Sequence, residues 1–456
     1  MTSNQVGAAP GDAGPDGRMR LSLAIRGVGY HPAAWRLPGT DPAAEQRLQH
    51  YAEVARIAER GKFDMIFFAD TVAIRESALE PDTLARNSTL ARIEPLMILA
   101  GVASQTSRIG LAATASTTYN TPYQIARHFG SLDLISNGRA CWNLVTSWSD
   151  AEARNFGLDV NASYGDRYDR AREFVGVVTR LWNSWEDDAF LFDKQGGLFH
   201  DPAKLHTLDH EGRYYKVKGP LNVPPSPQGR PVICEAGASE AGQELAAYSA
   251  DVVYAIAQTE EAAGRFYRSV KARLPKYGRS ASDVKIMPGI SPIVGKTEAE
   301  ARAKFRALQD LIDPRLGLSL IAPYVGDLSG YPVDSPIPDV AMQGSTLETM
   351  RKLMKEIAAG RELTIRALYE HVAAGRGHWT LVGSAEYIAD QLEAWFRAGV
   401  ADGFNIVAAH LPGVIEDFVE LVVPILQERG LFRRDYEGET LRENLGLRKP
   451  VGLVAG

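Results

Sequence analysis

Polar residues collect in this sequence where apolar runs stop. Asp70 closes FDMIFFAD, Thr114 and Ser116 lie at the end of RIGLAATAS, Asn143, Thr146 and Ser147 lie in ACWNLVTS, and Gly237, Ala238 and Ser239 follow PVICEA. One such carboxylate either caps a helix or meets a ligand. Together the four run ends offer hydrogen-bond donors and acceptors with few strongly basic groups, which suits a neutral heteroaromatic ring. Asp70 is expected to be buried beside Phe67, Phe68 and Ala69. In EAGASEAGQELAA, small residues lead into a helix, so backbone N–H groups and the Ser239 hydroxyl can face an anion at the positive helix end; an ordinary serine cap is the other reading. Arg167, Tyr168 and Arg170 open another helix, as a second wall of the same mouth or as a solvated helix start. His31, in GVGYHPAAW, is the histidine best placed for proton chemistry, with loop capping as its alternative.

Other chemistries find little support. His206 and His210 stand four apart in KLHTLDHEGRYY, which lacks both helical character and the HExxH order, so no metal site is expected. Cys141 and Cys234 sit inside strand-like runs and read as inert buried thiols, and no GxSxG elbow is present.

Eight β-type runs can position the polar ends: 19–25, 63–70, 108–116, 140–147, 231–237, 251–257, 283–294 and 404–407. Helical patterns follow them, including 44–60, 94–104, 122–135, 167–185 and 414–428. Parallel strands need crossover helices, and eight such units close into a (β/α)8 barrel. An open doubly wound sheet is disfavoured because the first turn, RGVGYHPAAW, lacks GxGxxG. Residues 186–230 and 313–375 exceed ordinary connections. Both are expected to leave strand C-terminal ends and cover a mouth, with peripheral packing or a dimer contact as the alternative. Aromatics in 186–230 lean toward an apolar or aromatic substrate.

The 456 residues carry 50 Lys plus Arg against 56 Asp plus Glu, a net charge of −6, so no global attraction to nucleic acid or anionic membrane is expected. Residues 1–18 read as a disordered leader without an apolar signal core, followed by one barrel domain over 19–456. No apolar stretch of about 18 residues appears, so a cytoplasmic protein is expected.

Longer motifs carry a resemblance. ERGKFDMIFFAD, ATASTTYNTPYQIAR, LDLISNGRACWNLVTSWSDAEARNFG, RYDRAREF, LWNSWEDDA and SPQGRPVICEAGASEAG together resemble the bacterial-luciferase-like flavin monooxygenases, especially the nitrilotriacetate, EDTA and dibenzothiophene-sulfone subgroup. The resemblance runs from about residue 19 to RGLFRRDYEGETLRENLGL. It implies a barrel with insertions at its C-terminal face and reduced FMN supplied by a separate NAD(P)H:flavin reductase. O2 would then oxygenate a small organic substrate, such as a sulfone or other xenobiotic, through a C4a-(hydro)peroxyflavin. It places Asp70 by the isoalloxazine ring, Thr114 at its polar edge, Asn143 and Ser147 by the pyrimidine side and ribityl chain, Tyr164 and Tyr168 toward the ribityl or phosphate end, and Ala238 with Ser239 at the phosphate. Tyr164 stands where relatives carry histidine. His31 is assigned to the peroxide, and Tyr324 stands where some members place a substrate-side histidine. A homo-oligomer, dimer or tetramer, is expected. Two alternatives stay open: a coenzyme F420-dependent hydride-transfer oxidoreductase on the same barrel, or a non-enzymatic flavin-binding relative.

Overall fold

Short runs in which every residue is buried, such as MIFF and VICE, satisfy their backbone only by pairing on both sides, and here they pair in parallel. The computed structural model describes residues 17–74, 83, 85–88, 90–338 and 363–450. Most of the expected leader and the middle of 313–375 lie outside the described residues. The strands are β1 (Arg20–Ile25), β2 (Met65–Phe68), β3 (Gly110–Ser116), β4 (Ala140–Val145), β5 (Phe190–Asp193), β6 (Leu198–His200), β7 (His210–Glu211), β8 (Lys216–Val217), β9 (Val232–Glu235), β10 (Val252–Ala255), β11 (Lys285–Gly295), β12 (Trp379–Ser384) and β13 (Gly403–Val407).

Eight of these close a parallel barrel in the order β1, β2, β3, β4, β9, β10, β11, β13, with β13 returning to β1. All eight expected runs are present. β12 is a ninth parallel strand, paired outside the ring with the Ile290–Gly295 half of β11; its half-buried WTLVGS lacks the continuous apolar character of the others. Leu21, Leu23 and Ile25 face the surrounding helices, whereas Ala24, Met65, Phe67, Ala112 and Met287 fill the interior. Leu441, Leu445 and Leu447 pack into that interior cluster. Cys141 and Cys234 are free and buried there, and burial pushes the Cys234 thiol up.

Helix starts follow capping chemistry. Thr121, Ser239, Thr259, Thr297 and Ser384 each accept a backbone N–H at the start of the next helix. The helix expected over 167–185 spans Tyr164–Trp182, because Ser163 caps it by accepting from Asp166. The helix expected from Ala44 is interrupted at Arg47, which is extended, and the α-helix proper is Leu48–Arg60.

The expectation that both long segments leave strand ends holds for neither. The segment at 186–230 begins after helix Tyr164–Trp182, so it starts from a crossover helix and not from a strand. It forms the β5–β6 and β7–β8 ribbons, and Trp185, Phe190, Phe199 and His200 pack on one another. Its second ribbon turns back to the helix start, where the Tyr214 hydroxyl donates to Asp166 at 2.7 Å. The other segment likewise begins after a helix, Glu298–Gln309, and its helices Pro314–Val325 and Ile365–Gly375 pack on Ala33, in the loop after β1.

At the end of β9, Glu235 is buried against the Ser249 hydroxyl, which donates to it at 2.7 Å. Burial outweighs that bond and the field of Arg279, pushing the carboxyl up to about 8. The folded state therefore holds a proton that the unfolded chain releases near its ordinary pKa of 4.5. Stability is lost as pH rises from there through about 8. Glu235→Gln is expected to match the wild type in thermal melts at pH 4.5 and to melt a few degrees higher at pH 8.

Candidate functional site

The pairing register decides which side chains meet inside the barrel. Following residue partners once round the ring returns to β1 shifted by eight residues, the usual shear of this architecture. Residues at one height therefore advance by one per strand. Ala24, Thr114, Ala236 and Gly289 share one level, and Phe67, Asn143, Tyr254 and Asn405 the level beneath. Ring contact between Phe67 and Tyr254, 4.7 Å between centroids, agrees with this. The upper level is built of small residues, so the barrel opens above the rings of Phe67 and Tyr254.

Thr114 and Asn143 come together on neighbouring strands. Asn143 Nδ2 donates to Thr114 Oγ1 at 2.8 Å, and Thr114 Oγ1 donates to the Phe68 carbonyl at 2.7 Å. Both side chains are buried with their hydrogen bonds made. Ser147, just beyond β4, adopts φ +47°, the left-handed region that costs a non-glycine residue about 1 kcal/mol or more. Its hydroxyl lies 2.9 Å from that of Ser116, and its carbonyl accepts from Arg167. Such a backbone persists where neighbours hold it.

A second cluster stands across from these serines. The rings of Tyr164 and Tyr168 lie 5.0 Å apart, and the Tyr168 hydroxyl is 3.3 Å from Ser239 Oγ. Ser239 caps its helix by accepting from Gly242 at 3.2 Å, while Ala238 beside it is exposed. The turn is tight: a Cβ on Gly237 would stand 2.8 Å from Gly242 Cα. Tyr164 is half exposed. Arg167 joins the clusters, and its Nε is buried with no hydrogen-bond partner among the described residues.

Asp70, expected to be buried, is only partly so. Its side chain retains 17% exposure and lies 3.7 Å from Arg92. Partial burial first, with the nearby Glu94 and Glu152, raises its pKa despite Arg92. Glu152 is a residue the sequence reading passed over. Buried, it accepts from Thr71 Oγ1 at 2.9 Å and from Ser147 Oγ at 3.4 Å, joining the β2 and β4 ends. Its S-x-x-E spacing from Ser149 is a legible capping box. Arg26, Arg92 and Arg376 also went unnoticed, because loops bring them together. All three act on buried Tyr30, and Arg376 Nε donates to the Tyr30 carbonyl at 2.9 Å.

His31 lies apart from the polar clusters, against Gln309 at the end of helix Glu298–Gln309. Its Nδ1 accepts from the Ala33 N–H at 3.2 Å, so the proton of the neutral ring sits on Nε2, 3.4 Å from Gln309 Oε1. Tyr324 stands exposed on helix Pro314–Val325, whose buried face is Leu316, Ile321 and Val325. No contact among the described residues joins it to His31. Among the described residues no three His, Cys, Asp or Glu gather to hold a metal, and no helix is long and apolar enough to cross a membrane.

Comparison with known proteins extends over most of the chain. A family model described as luciferase-like monooxygenase matches residues 30–402. Identity is 46% over 441 residues with the N-acetyl-S-(2-succino)cysteine monooxygenase of Bacillus subtilis (strain 168), covering 96% of this chain and 98% of that one. With nitrilotriacetate monooxygenase component A of Aminobacter aminovorans it is 44%, over 97% and 99% of the two chains. The crystal structure of DmoA from Hyphomicrobium sulfonivorans matches with a TM-score of 0.86 at 31% identity, covering 94% of this chain and 92% of that one.

Burial dominates the ionisation of His31, lowering its pKa to about 4. Its unfolded value is near 6.5, so the unfolded chain takes up a proton first on acidification, and this contribution to stability falls as pH drops from about 6.5 to 4. An NMR titration of the His31 ring is expected to show no protonation between pH 8 and pH 5.

Proposed function

The chain belongs to the luciferase-like monooxygenase family, and we propose that this FMN-dependent, two-component monooxygenase acts on a small polycarboxylate that carries a sulfur or nitrogen atom. Family membership sets aside the hydride-transfer and non-enzymatic alternatives. The observation that carries the substrate class is the near full-length identity of 44–46% with two monooxygenases named for N-acetyl-S-(2-succino)cysteine and nitrilotriacetate, both heteroatom-bearing polycarboxylates. Arg26, Arg92 and Arg376 about Tyr30 support it, since guanidinium groups suit carboxylates. The aromatics of 185–200 lend no support to an aromatic substrate, because they pack on one another in an outer ribbon.

The residues present fit FMN. Small side chains at the level of Thr114 leave room for a planar ring, the paired Thr114 and Asn143 offer a neutral hydrogen-bonding edge, and the unpartnered Arg167 Nε lies between the serine and tyrosine clusters. In this reading Asp70, Thr114 and Asn143 hold the ring, Ser147 the ribityl chain, Tyr164 and Tyr168 its outer end, and Ala238 with Ser239 the phosphate. Bound reduced FMN supplies the reaction with O2 that no side chain performs. The protein orients both reactants and excludes water, and we assign the latter to the helices of 313–375 that rest on the first loop. His31, neutral and held by Ala33 and Gln309, serves as a hydrogen-bond donor that positions and does not act as an acid at neutral pH. The exposed position of Tyr324 gives its assigned substrate-side role no support. Reduced FMN arrives by diffusion from its separate reductase. Exposed Leu191, Phe192, Leu198 and Phe199 on the β5–β6 ribbon support a homo-oligomer.

Purified chain, NADH and FMN are expected to consume NADH only when a flavin reductase is added. Product masses should then show oxygen-dependent conversion of polycarboxylate thioethers or amines in preference to sulfones and alkanes. NADH oxidation by the chain alone would contradict the two-component assignment, and conversion of sulfones alone the substrate class.

The phosphate turn generates a second expectation. FMN should bind more tightly than riboflavin, and Ser239→Ala should narrow that gap by about tenfold to a hundredfold, the worth of one charge-assisted hydrogen bond. Ser239→Thr keeps both the hydroxyl and the helix cap and should retain most of it. Equal affinity of the wild type for the two flavins in calorimetry would place the phosphate elsewhere.

A further inference from the structure

At the level of Thr114, on the opposite side of the barrel, β11 carries a glycine, and a residue from another element fills the place of its side chain. The imidazole of His378 stands there: Nδ1, Cε1 and Cγ lie 2.1, 2.6 and 3.0 Å from where a Cβ on Gly289 would be. His378 arrives on the turn between helix Ile365–Gly375 and β12, and that turn is held from two sides. Arg376 Nε donates to the Tyr30 carbonyl at 2.9 Å, and Gln258 Nε2 donates to the Gly377 carbonyl at 3.3 Å. Gly289 is the register partner of Asn405, which lies one level down, opposite Asn143. His378 Nδ1 and Asn405 Oδ1 are both buried, and neither has a hydrogen-bond partner among the described residues. Two unsatisfied buried polar atoms at one place on a wall favour a ligand that completes them.

We propose that His378 and Asn405 form a substrate-side polar contact, taking a hydroxyl or amide group of the substrate across the barrel from Thr114 and Asn143. Asn405 Oδ1 only accepts, while an imidazole nitrogen accepts or donates according to tautomer, so the partner must carry an N–H or O–H. An ionised carboxylate alone does not complete the pair. The inference rests on the placement of the flavin at Thr114 and Asn143 and on the polycarboxylate substrate class.

The test compares two probes with full-length protein, flavin reductase, NADH and FMN. One is N-acetyl-S-(2-succino)cysteine; the other is the same thioether with hydrogen in place of the acetamido group. The wild type is expected to favour the first in kcat/KM by about tenfold, the worth of one or two neutral hydrogen bonds. His378→Leu and Asn405→Leu should each bring the probes within about threefold while leaving FMN affinity unchanged. Gly289→Ala leaves both side chains in the sequence but displaces the imidazole, and should act like His378→Leu. Peroxide formed per product should rise with the acetylated probe. Preserved discrimination in the three variants, or none in the wild type, overturns the contact and leaves the substrate class standing. Variants that lose FMN affinity assign these residues to the flavin and also overturn it. Oxidation of neither probe by wild type that binds FMN overturns the substrate class and this contact with it.

Discussion

Three buried carboxylates at strand entrances hold the ring in register. Asp64, Asp251 and Asp402 each directly precede a strand, and each accepts a backbone N–H from the strand beside it: Leu21 at 2.8 Å, Ile233 at 3.0 Å and Ile286 at 2.8 Å. Each is paired with a cation from outside the ring, Arg433 at 2.5 Å, Arg442 at 2.9 Å and Lys271 at 2.9 Å. For Asp251, burial raises the pKa but the Arg442 and Arg230 guanidiniums outweigh it, leaving it at about 2. Removing one partner of such a buried pair typically costs about 3–5 kcal/mol, because the other charge is left uncompensated. Two of the cations, Arg433 and Arg442, lie in the C-terminal segment, which ties that segment to barrel closure.

Register at these entrances governs the far end of the strands. A slip of one residue turns an inward side chain outward, so Thr114 and Asn143 meet only because the strands are phased as they are. The same phasing sets Gly289 level with Thr114. A side chain there would collide with His378, whose ring approaches from a different part of the chain. Strain at Ser147 belongs to the same economy of position: Ser116, Glu152 and Arg167 fix a backbone that an isolated serine would leave.

Continuous apolar runs made the eight strands legible, since burial on both faces leaves few other ways to satisfy the backbone. Two features of the same sequence misled. WTLVGS is half polar because β12 lies outside the ring, and the segments at 186–230 and 313–375 both follow helices, so their length alone did not tell which end of the barrel they leave. Polar strand ends such as Thr114, Asn143 and Ser147 could be named because they interrupt apolar runs. Asp64 and Asp251 fall at the starts of their runs and Asp402 just before the last one, where each looks like a turn residue. Asn405 interrupts FNIV in the same way and was passed over, whereas Arg92, Arg376 and His378 had no local signal. Their surroundings are made by register and by loops distant in sequence, and a glycine inside an apolar run does not announce which ring will cover it.

The two walls of the mouth differ in a way that follows from their hydrogen bonds. On the β3–β4 side the polar groups satisfy one another, Thr114 with Asn143 and Ser116 with Ser147, so their positions are set before any ligand arrives. Preorganised neutral donors and acceptors orient a ring without the affinity that buried cations would add. The outer end adds the hydroxyls of Tyr168 and Ser239, with the single guanidinium of Arg167 beside them and Tyr164 half in solvent. For a flavin that must come from a separate reductase and return to it, moderate affinity is an advantage, because tight binding would slow exchange. The β11–β13 side is the opposite case: His378 and Asn405 each present a buried atom that nothing in the described protein completes. A wall that is already satisfied fixes geometry, and a wall that is not discriminates among ligands by which of them satisfies it.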